Sequence, residues 1–325
     1  MNKYLMIISL AVVFGLGILG GNFWSKNSDS CTKKFSFINP DLGCNGKQIL
    51  DKSNPIALKD VLNTYIDSQK KNGDVRLVSV YFRDLQDGPI LGINENEAFI
   101  AASLLKLPTA MTFFKLAEEK EPDILQRRLH FQGAISEDES LEQFFKPSKT
   151  IQPGASYTIE ELIFNSLVYS DNLSNEVLKS SIQSMRGDLN LILQTYKELG
   201  LAASASINTP DISTRGYATI FRILYNASYL SQEHSENVLS LLAQSEFDQG
   251  IASGVPKEVR VANKFGERFI GSEKQLHDCG IVYFPGNAYL LCVMTRGKDF
   301  TELTRIIRDI STMVYEEVES RKLVR

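Results

Sequence analysis

Three serines in this chain stand three residues ahead of a lysine: Ser30 before Lys33, Ser68 before Lys71 and Ser103 before Lys106. At that spacing on a helix both side chains lie on one face. A lysine held in apolar surroundings must be paired or lose its proton. Deprotonated, it becomes a base that can activate a serine nucleophile. Ser30 and Ser68 sit in polar stretches. Ser103 follows Ala98-Phe99-Ile100-Ala101-Ala102 and precedes Leu104, Leu105, Leu107 and Pro108, so Ser103 and Lys106 are predicted at the start of a buried helix. The plainer reading is a serine N-cap beside a snorkelling lysine.

Two further clusters follow. Ser170-Asp171-Asn172 comes 67 residues after Ser103 (170 − 103), and Lys264-Phe265-Gly266 comes 94 residues after Ser170 (264 − 170). Lys-x-Gly also occurs at Lys71-Asn72-Gly73. Of the three histidines, His130 and His234 lie in polar stretches that predict a surface position. His277-Asp278 precedes a strand, and adjacent strand residues point to opposite faces. That argues against a triad of Ser103, His277 and Asp278.

The elements that would position these residues can be sketched from periodicity. Apolar residues at 58, 61, 62 and 66 predict a helix over 58–71, ended by Gly73. Alternation predicts a strand over 76–82, a turn at Asp87-Gly88-Pro89 and a second strand over 90–93. A long apolar helix is predicted over 103–119, then short helices and loops over 123–156. Thr158-Ile159-Glu160-Glu161 reads as a capping box opening a helix through Tyr169. Ser170-Asp171-Asn172 falls at a break before a helix from Asn175. Helices are expected at 187–199 and 211–230, strands at 259–264, 279–284 and 288–295, and a last helix over 299–320. The fold class is α+β: one antiparallel sheet built from both ends of the chain, flanked by helices, with a central all-helical subdomain.

Hydrophobic content of 43% and charged content of 23% are ordinary for a globular chain, and a net charge of −4 gives no footprint for nucleic acid. Residues 4–25 are 22 residues without a charge, enough to cross a bilayer. Residues 1–25 therefore read as a membrane anchor, or as a signal segment if cleaved. Residues 26–54 read as a polar linker, and 55–325 as the catalytic domain. Cys31 and Cys44 bracket a 12-residue loop in that linker and could pair outside the cytoplasm. Cys279 and Cys292 flank the turn Pro285-Gly286-Asn287 and would face each other across a hairpin. The spacing fits neither zinc ligation nor a redox Cys-x-x-Cys, so no metal or cofactor is expected.

Ser-x-x-Lys, Ser-Asp-Asn and Lys-[Thr]-Gly in this order resemble the motif set of serine β-lactamases and penicillin-binding proteins. Over about residues 55–320 the chain resembles the class A β-lactamase-like serine hydrolases, with Asn208-Thr209-Pro210 adding to the likeness. By that resemblance Ser103 attacks an activated amide carbonyl, and Lys106 accepts its proton or sets its environment. Ser170 relays a proton to the leaving nitrogen, helped by Lys264, whose charge also suits a substrate carboxylate. Asn172 holds Lys106 and the substrate amide. The N–H of Ser103 and one from the strand after Gly266, assigned to Arg268, form the oxyanion hole.

Two departures stand out. Phe265 replaces the family's threonine; alternation from Lys264 turns residue 265 away from the cleft. The family's long loop with a deacylating glutamate is reduced to residues 201–209, none acidic, and Asp211 beyond Pro210 reads as a helix cap. The expected activity is an acyl-enzyme hydrolase on a β-lactam with slow deacylation. The alternatives are a peptidase or esterase on cell-wall peptides, and an anchored pseudoenzyme that only binds such ligands. The partners are a small-molecule or peptide substrate and a membrane. The place of action is outside the cytoplasm, either membrane-anchored or secreted.

Overall fold

The computed structural model describes residues 35–42, 56–86, 90–133, 143–186, 190–201 and 211–323. The anchor, Cys31 and Cys44, the Asp87-Gly88-Pro89 turn and residues 202–210 lie outside them. Among the described residues no helix is long and apolar enough to cross a membrane.

The chain runs α1 (Ile56–Asn72), β1 (Val75–Asp84), β2 (Ile90–Ile93), β3 (Ala98–Ile100), a 3-10 turn (Ala102–Leu105) and α2 (Lys106–Glu119). Next come β4 (Arg128–His130), β5 (Ser156–Thr158), α3 (Ile159–Val168), α4 (Asn172–Arg186) and α5 (Asn190–Glu198). It ends with β6 (Asp211–Ser213), α6 (Thr214–Tyr225), α7 (Gln232–Leu242), β7 (Val261–Ile270), β8 (Glu273–Val282), β9 (Tyr289–Gly297) and α8 (Phe300–Leu323). Five strands form one antiparallel sheet in the order β2-β1-β9-β8-β7, so strands from both ends of the chain meet at β1 and β9. The α+β expectation holds.

Each face of the sheet buries its own core. Val78, Val80, Phe82, Leu276, Leu291 and Val293 pack with Leu62 of α1 and Ile306, Ile310 and Val314 of α8. On the other face Ala262, Ile281, Leu290 and Met294 meet the helical block, with Leu107, Met111 and Phe114 of α2 at its centre. Lys106 opens that central helix, so its side chain is buried with it. β7 ends the sheet, and its unpaired edge is free to line a cleft.

Local chemistry sets the element ends. The Thr158 capping box is formed: Glu161 N–H donates to Thr158 Oγ1 at 3.0 Å, and Thr158 N–H donates to Glu161 Oε2 at 2.7 Å. Gly286 turns the β8–β9 hairpin with φ +81°, and Asn287 N–H closes it on Phe284 O at 3.0 Å. Cys279 and Cys292 are directly opposite in that hairpin and form a disulfide.

Several expectations are corrected. α4 starts at Asn172, not Asn175, because Asp171 caps it: Ser174 N–H donates to Asp171 Oδ2 at 3.0 Å. α6 is capped by Ser213, not Asp211, which lies in β6. α7 is an additional helix. β7 and β8 each run six residues further toward their shared turn than predicted. Residues 35–42 are not a free linker. Their Ile38 is buried in the core, and Glu236 of α7 accepts the N–H groups of Ser36, Phe37 and Ile38 at 2.6, 2.8 and 3.0 Å.

Candidate active site

Of the competing motifs, Ser68, Lys71, Asn72 and Gly73 are exposed on α1 and the turn that ends it, and Ser30 lies outside the described residues. Ser103 sits in the 3-10 turn, partly exposed, one turn before Lys106. Ala102 before it has φ +49°, a left-handed conformation that costs a non-glycine residue energy. Ser170 is held the same way, with φ +55°. Both special backbone positions therefore bracket the proposed chemistry.

Lys106 Nζ donates to the carbonyl oxygen of Ser170, to Ser170 Oγ at 3.0 Å and to Asn172 Oδ1 at 2.6 Å. Lys264 Nζ reaches the same Ser170 Oγ at 2.9 Å and Phe265 O at 2.9 Å. Two lysines thus converge on one hydroxyl, and Ser170 and Lys264 are both 0% exposed. Burial pushes Lys106 down to about 7, against the opposing pull of Asp171, Glu267 and Glu176. Burial, and then the neighbouring charge of Lys106, push Lys264 well below the ordinary lysine range. A neutral Lys106 can accept a proton, and Ser170 is placed to pass one between the two nitrogens.

The opposite wall is β7. In an antiparallel ladder a residue's N–H and C=O point to the same neighbour, and the direction reverses at each residue. Phe265 O turns to Lys264 Nζ rather than to β8. The Cα atoms of Cys279 and Cys292 are 3.9 Å apart, as in a pair without mutual backbone hydrogen bonds, which turns Cys279 toward Lys264. Both observations put the N–H groups of residues 265 and 267 on the open edge. The N–H of Arg268 faces Gln275 of β8 instead. The oxyanion assignment to Arg268 is therefore corrected, and Glu267 carries the free edge N–H. Gly266 lets the nucleophile turn approach this strand: a Cβ there would lie 3.1 Å from Ala101 O and from Leu104 N.

Phe265 is buried in the core, as alternation predicts, but Lys264 Nζ lies 4.5 Å from its ring centroid, so one side of the ring borders the cleft. It stacks on Phe247 with ring centroids 4.1 Å apart, in the core under α8. Lys264 and Gly266 remain on the cleft side. His277 is buried and pushed down to about 3 by desolvation, and its Nε2 donates to Ile100 O at 3.1 Å. Asp278 is bound by Asn263 Nδ2 at 3.0 Å and Ile251 N–H at 2.8 Å. Neither reaches Ser103, so no such triad forms. His130 is exposed, while His234 is half-buried against Glu118 at 2.8 Å.

Three residues of the site were missed. Asp171 caps α4 and also accepts from Thr150 Oγ1 at 2.6 Å. Its position before a helix was the available signal. Glu267 is buried, and desolvation pushes its carboxyl up to about 7. Gln143 donates from Nε2 to Ser170 O at 3.2 Å. Nothing local in the sequence marks Gln143. Among the described residues no cluster of His, Cys, Asp and Glu could hold a metal ion.

The fold is that of a well-populated structural class. The chain superposes on PBP-A with a TM-score of 0.65 at 21% identity, covering 85% of this chain and 99% of that one. A PBP-A variant described as an acyl-enzyme complex with penicillin-G gives 0.66 at 22% identity, over 85% and 99%. The class A beta-lactamase from Mycobacterium abscessus gives 0.64 at 20% identity, over 81% and 99%. Likeness at these identities establishes the fold alone. The sequence itself goes further: the model of the beta-lactamase enzyme family matches residues 57–318, which contain Ser103, Lys106, Ser170 and Lys264, so the chain belongs to that family of serine hydrolases.

Proposed function

We propose that this enzyme forms an acyl-enzyme on Ser103 with a β-lactam and releases it slowly. The observation that carries the reading is the convergence of Lys106 and Lys264 on Ser170 Oγ, at 3.0 and 2.9 Å, beside a serine at a special backbone turn. Ser103 Oγ attacks the lactam carbonyl while neutral Lys106 takes its proton. The N–H groups of Ser103 and Glu267 bind the oxyanion, usually the largest electrostatic contribution. As the ring C–N bond breaks, Ser170 gives its proton to the leaving nitrogen and is reprotonated from the lysine pair. A substrate carboxylate beside Lys264 would favour its protonated form and take it as a counter-charge, and Asn172 holds Lys106 and the substrate amide.

Slow release is supported by the acid-free stretch 201–209. Asp211, the next acid, is exposed in β6 with its strand paired to β3. General-base help to the deacylating water is worth about a hundred- to ten-thousandfold, so the acyl-enzyme should accumulate. The penicillin acyl-enzyme of the PBP-A variant makes the same chemistry plausible on this fold. A peptidase or esterase on cell-wall peptides would use the same residues with another acyl donor. We further propose that the domain works outside the cytoplasm, tethered by residues 4–24, in keeping with the Cys279–Cys292 disulfide. Incubation with penicillin should give a burst near one equivalent, then a slow steady state, and both should vanish in Ser103→Ala. Rapid multiple turnover without a burst would overturn slow deacylation, and absence of any adduct would overturn the acyl-enzyme reading.

A further inference from the structure

The leaving-group end of the cleft is covered. Ser170 and Lys264 are 0% exposed and Lys106 is 3% exposed, whereas Ser103 is partly open. The cover is residues 143–145, which bridge the two walls. Gln143 Nε2 donates to Ser170 O at 3.2 Å. Phe144 N–H donates to Glu267 Oε2 at 3.2 Å, and Phe145 N–H to Glu267 Oε1 at 3.2 Å. Downstream the segment is tied more tightly, by the 2.6 Å bond from Thr150 to Asp171. Phe145 rests on Phe247 and Phe265 with centroids 5.0 and 5.9 Å away, while Phe144 is 50% exposed.

We propose that Glu267 is a specificity-determining residue: its carboxylate pins residues 143–145 as a roof over Ser170 and Lys264, and a substrate whose leaving group is bulky must lift that roof. Three bonds at 3.2 Å lie at the long end of the N–H···O range. All three are longer than the 2.6 Å bond that holds Thr150, so the roof can open while Thr150 stays fixed. Glu267 serves both walls at once, its N–H facing the substrate carbonyl and its side chain facing the roof. This rests on the acyl-enzyme reading only for its consequence; the roof itself can be tested without acylation.

The test exposes the full-length chain to acetic anhydride and reads acetylation of Lys264 by peptide mass spectrometry. Two variants break the latch from opposite sides: Glu267→Ala removes both acceptors, and Phe144→Pro removes one donor while leaving the Glu267 charge. Roughly tenfold faster labelling of Lys264 is expected in both, the scale of one lost hydrogen bond to a charged group. Circular dichroism confirms folding, and Phe144→Pro serves if Glu267→Ala does not fold. Unchanged labelling in Phe144→Pro overturns the proposal, even if Glu267→Ala labels faster, because the gain would then come from charge alone. Ser103 adducts are read in the same digests with a fluorescent penicillin. Their absence together with faster Lys264 labelling would refute the acyl-enzyme reading and leave the roof standing.

Discussion

Acylation should depend on pH through Lys106, and the size of the effect follows from its surroundings. Burial beside Ser170 and Asn172 pushes its ammonium from 10.5 down to about 7. At pH 7 about half of the molecules then carry a free base, against roughly one in three thousand for an unperturbed lysine. The same shift corresponds to a desolvation cost on the order of 5 kcal/mol. The rate of Ser103 acylation at low penicillin should rise with unit slope up to a break near 7 and then level off. At pH 5 it should be about a hundredfold below the plateau. Glu267 also titrates near 7, and Glu267→Gln separates the two. Its charge raises the Lys106 value, so removing it should move the break downward and keep it. Stopped-flow fluorescence with a fluorescent penicillin gives both profiles. A break near 10, or one that disappears in Glu267→Gln, would refute Lys106 as the base.

Other perturbations probe the walls. Gly266→Ala puts a methyl 3.1 Å from backbone atoms of the nucleophile turn, and should lower acylation by about 10- to 100-fold, since a misplacement near 1 Å costs about 100-fold. A rate within twofold of wild type would contradict the close approach. Phe265→Thr restores the family's residue but empties the ring's place against Phe247, so denaturant unfolding should show a loss of about 3 kcal/mol or more. Glu236→Ala should free residues 35–42 to proteolysis and cost about 1–3 kcal/mol, leaving acylation unchanged.

The sequence carried the parts that repeat a local rule. The three motifs, the Thr158 capping box, the Gly286 turn and the inward-facing Phe265 all follow from spacing or alternation. What it hid depends on tertiary pairing. The arms of the β7–β8 hairpin past residue 266 read Glu-Arg-Phe-Ile and Glu-Lys-Gln, too polar to suggest strands, because β7 is an edge. α7 begins with a polar turn and shows its apolar face only from Val238, although Ser231 was a legible cap. The N–H on the open edge of β7 was placed one residue off because the direction of a strand N–H is set by its partner in the ladder. Phe144 and Glu267 meet across 123 residues (267 − 144), beyond the reach of any local pattern.

The central claim is that Ser103, served by Lys106, is the acylated residue. Peptide mass spectrometry after brief exposure to penicillin tests it most directly. One adduct of intact penicillin mass should fall on the peptide containing Ser103. It should be lost in Ser103→Ala and form far more slowly in Lys106→Ala. An adduct on Ser170 or any other serine, or undiminished labelling of Ser103→Ala, would contradict the account.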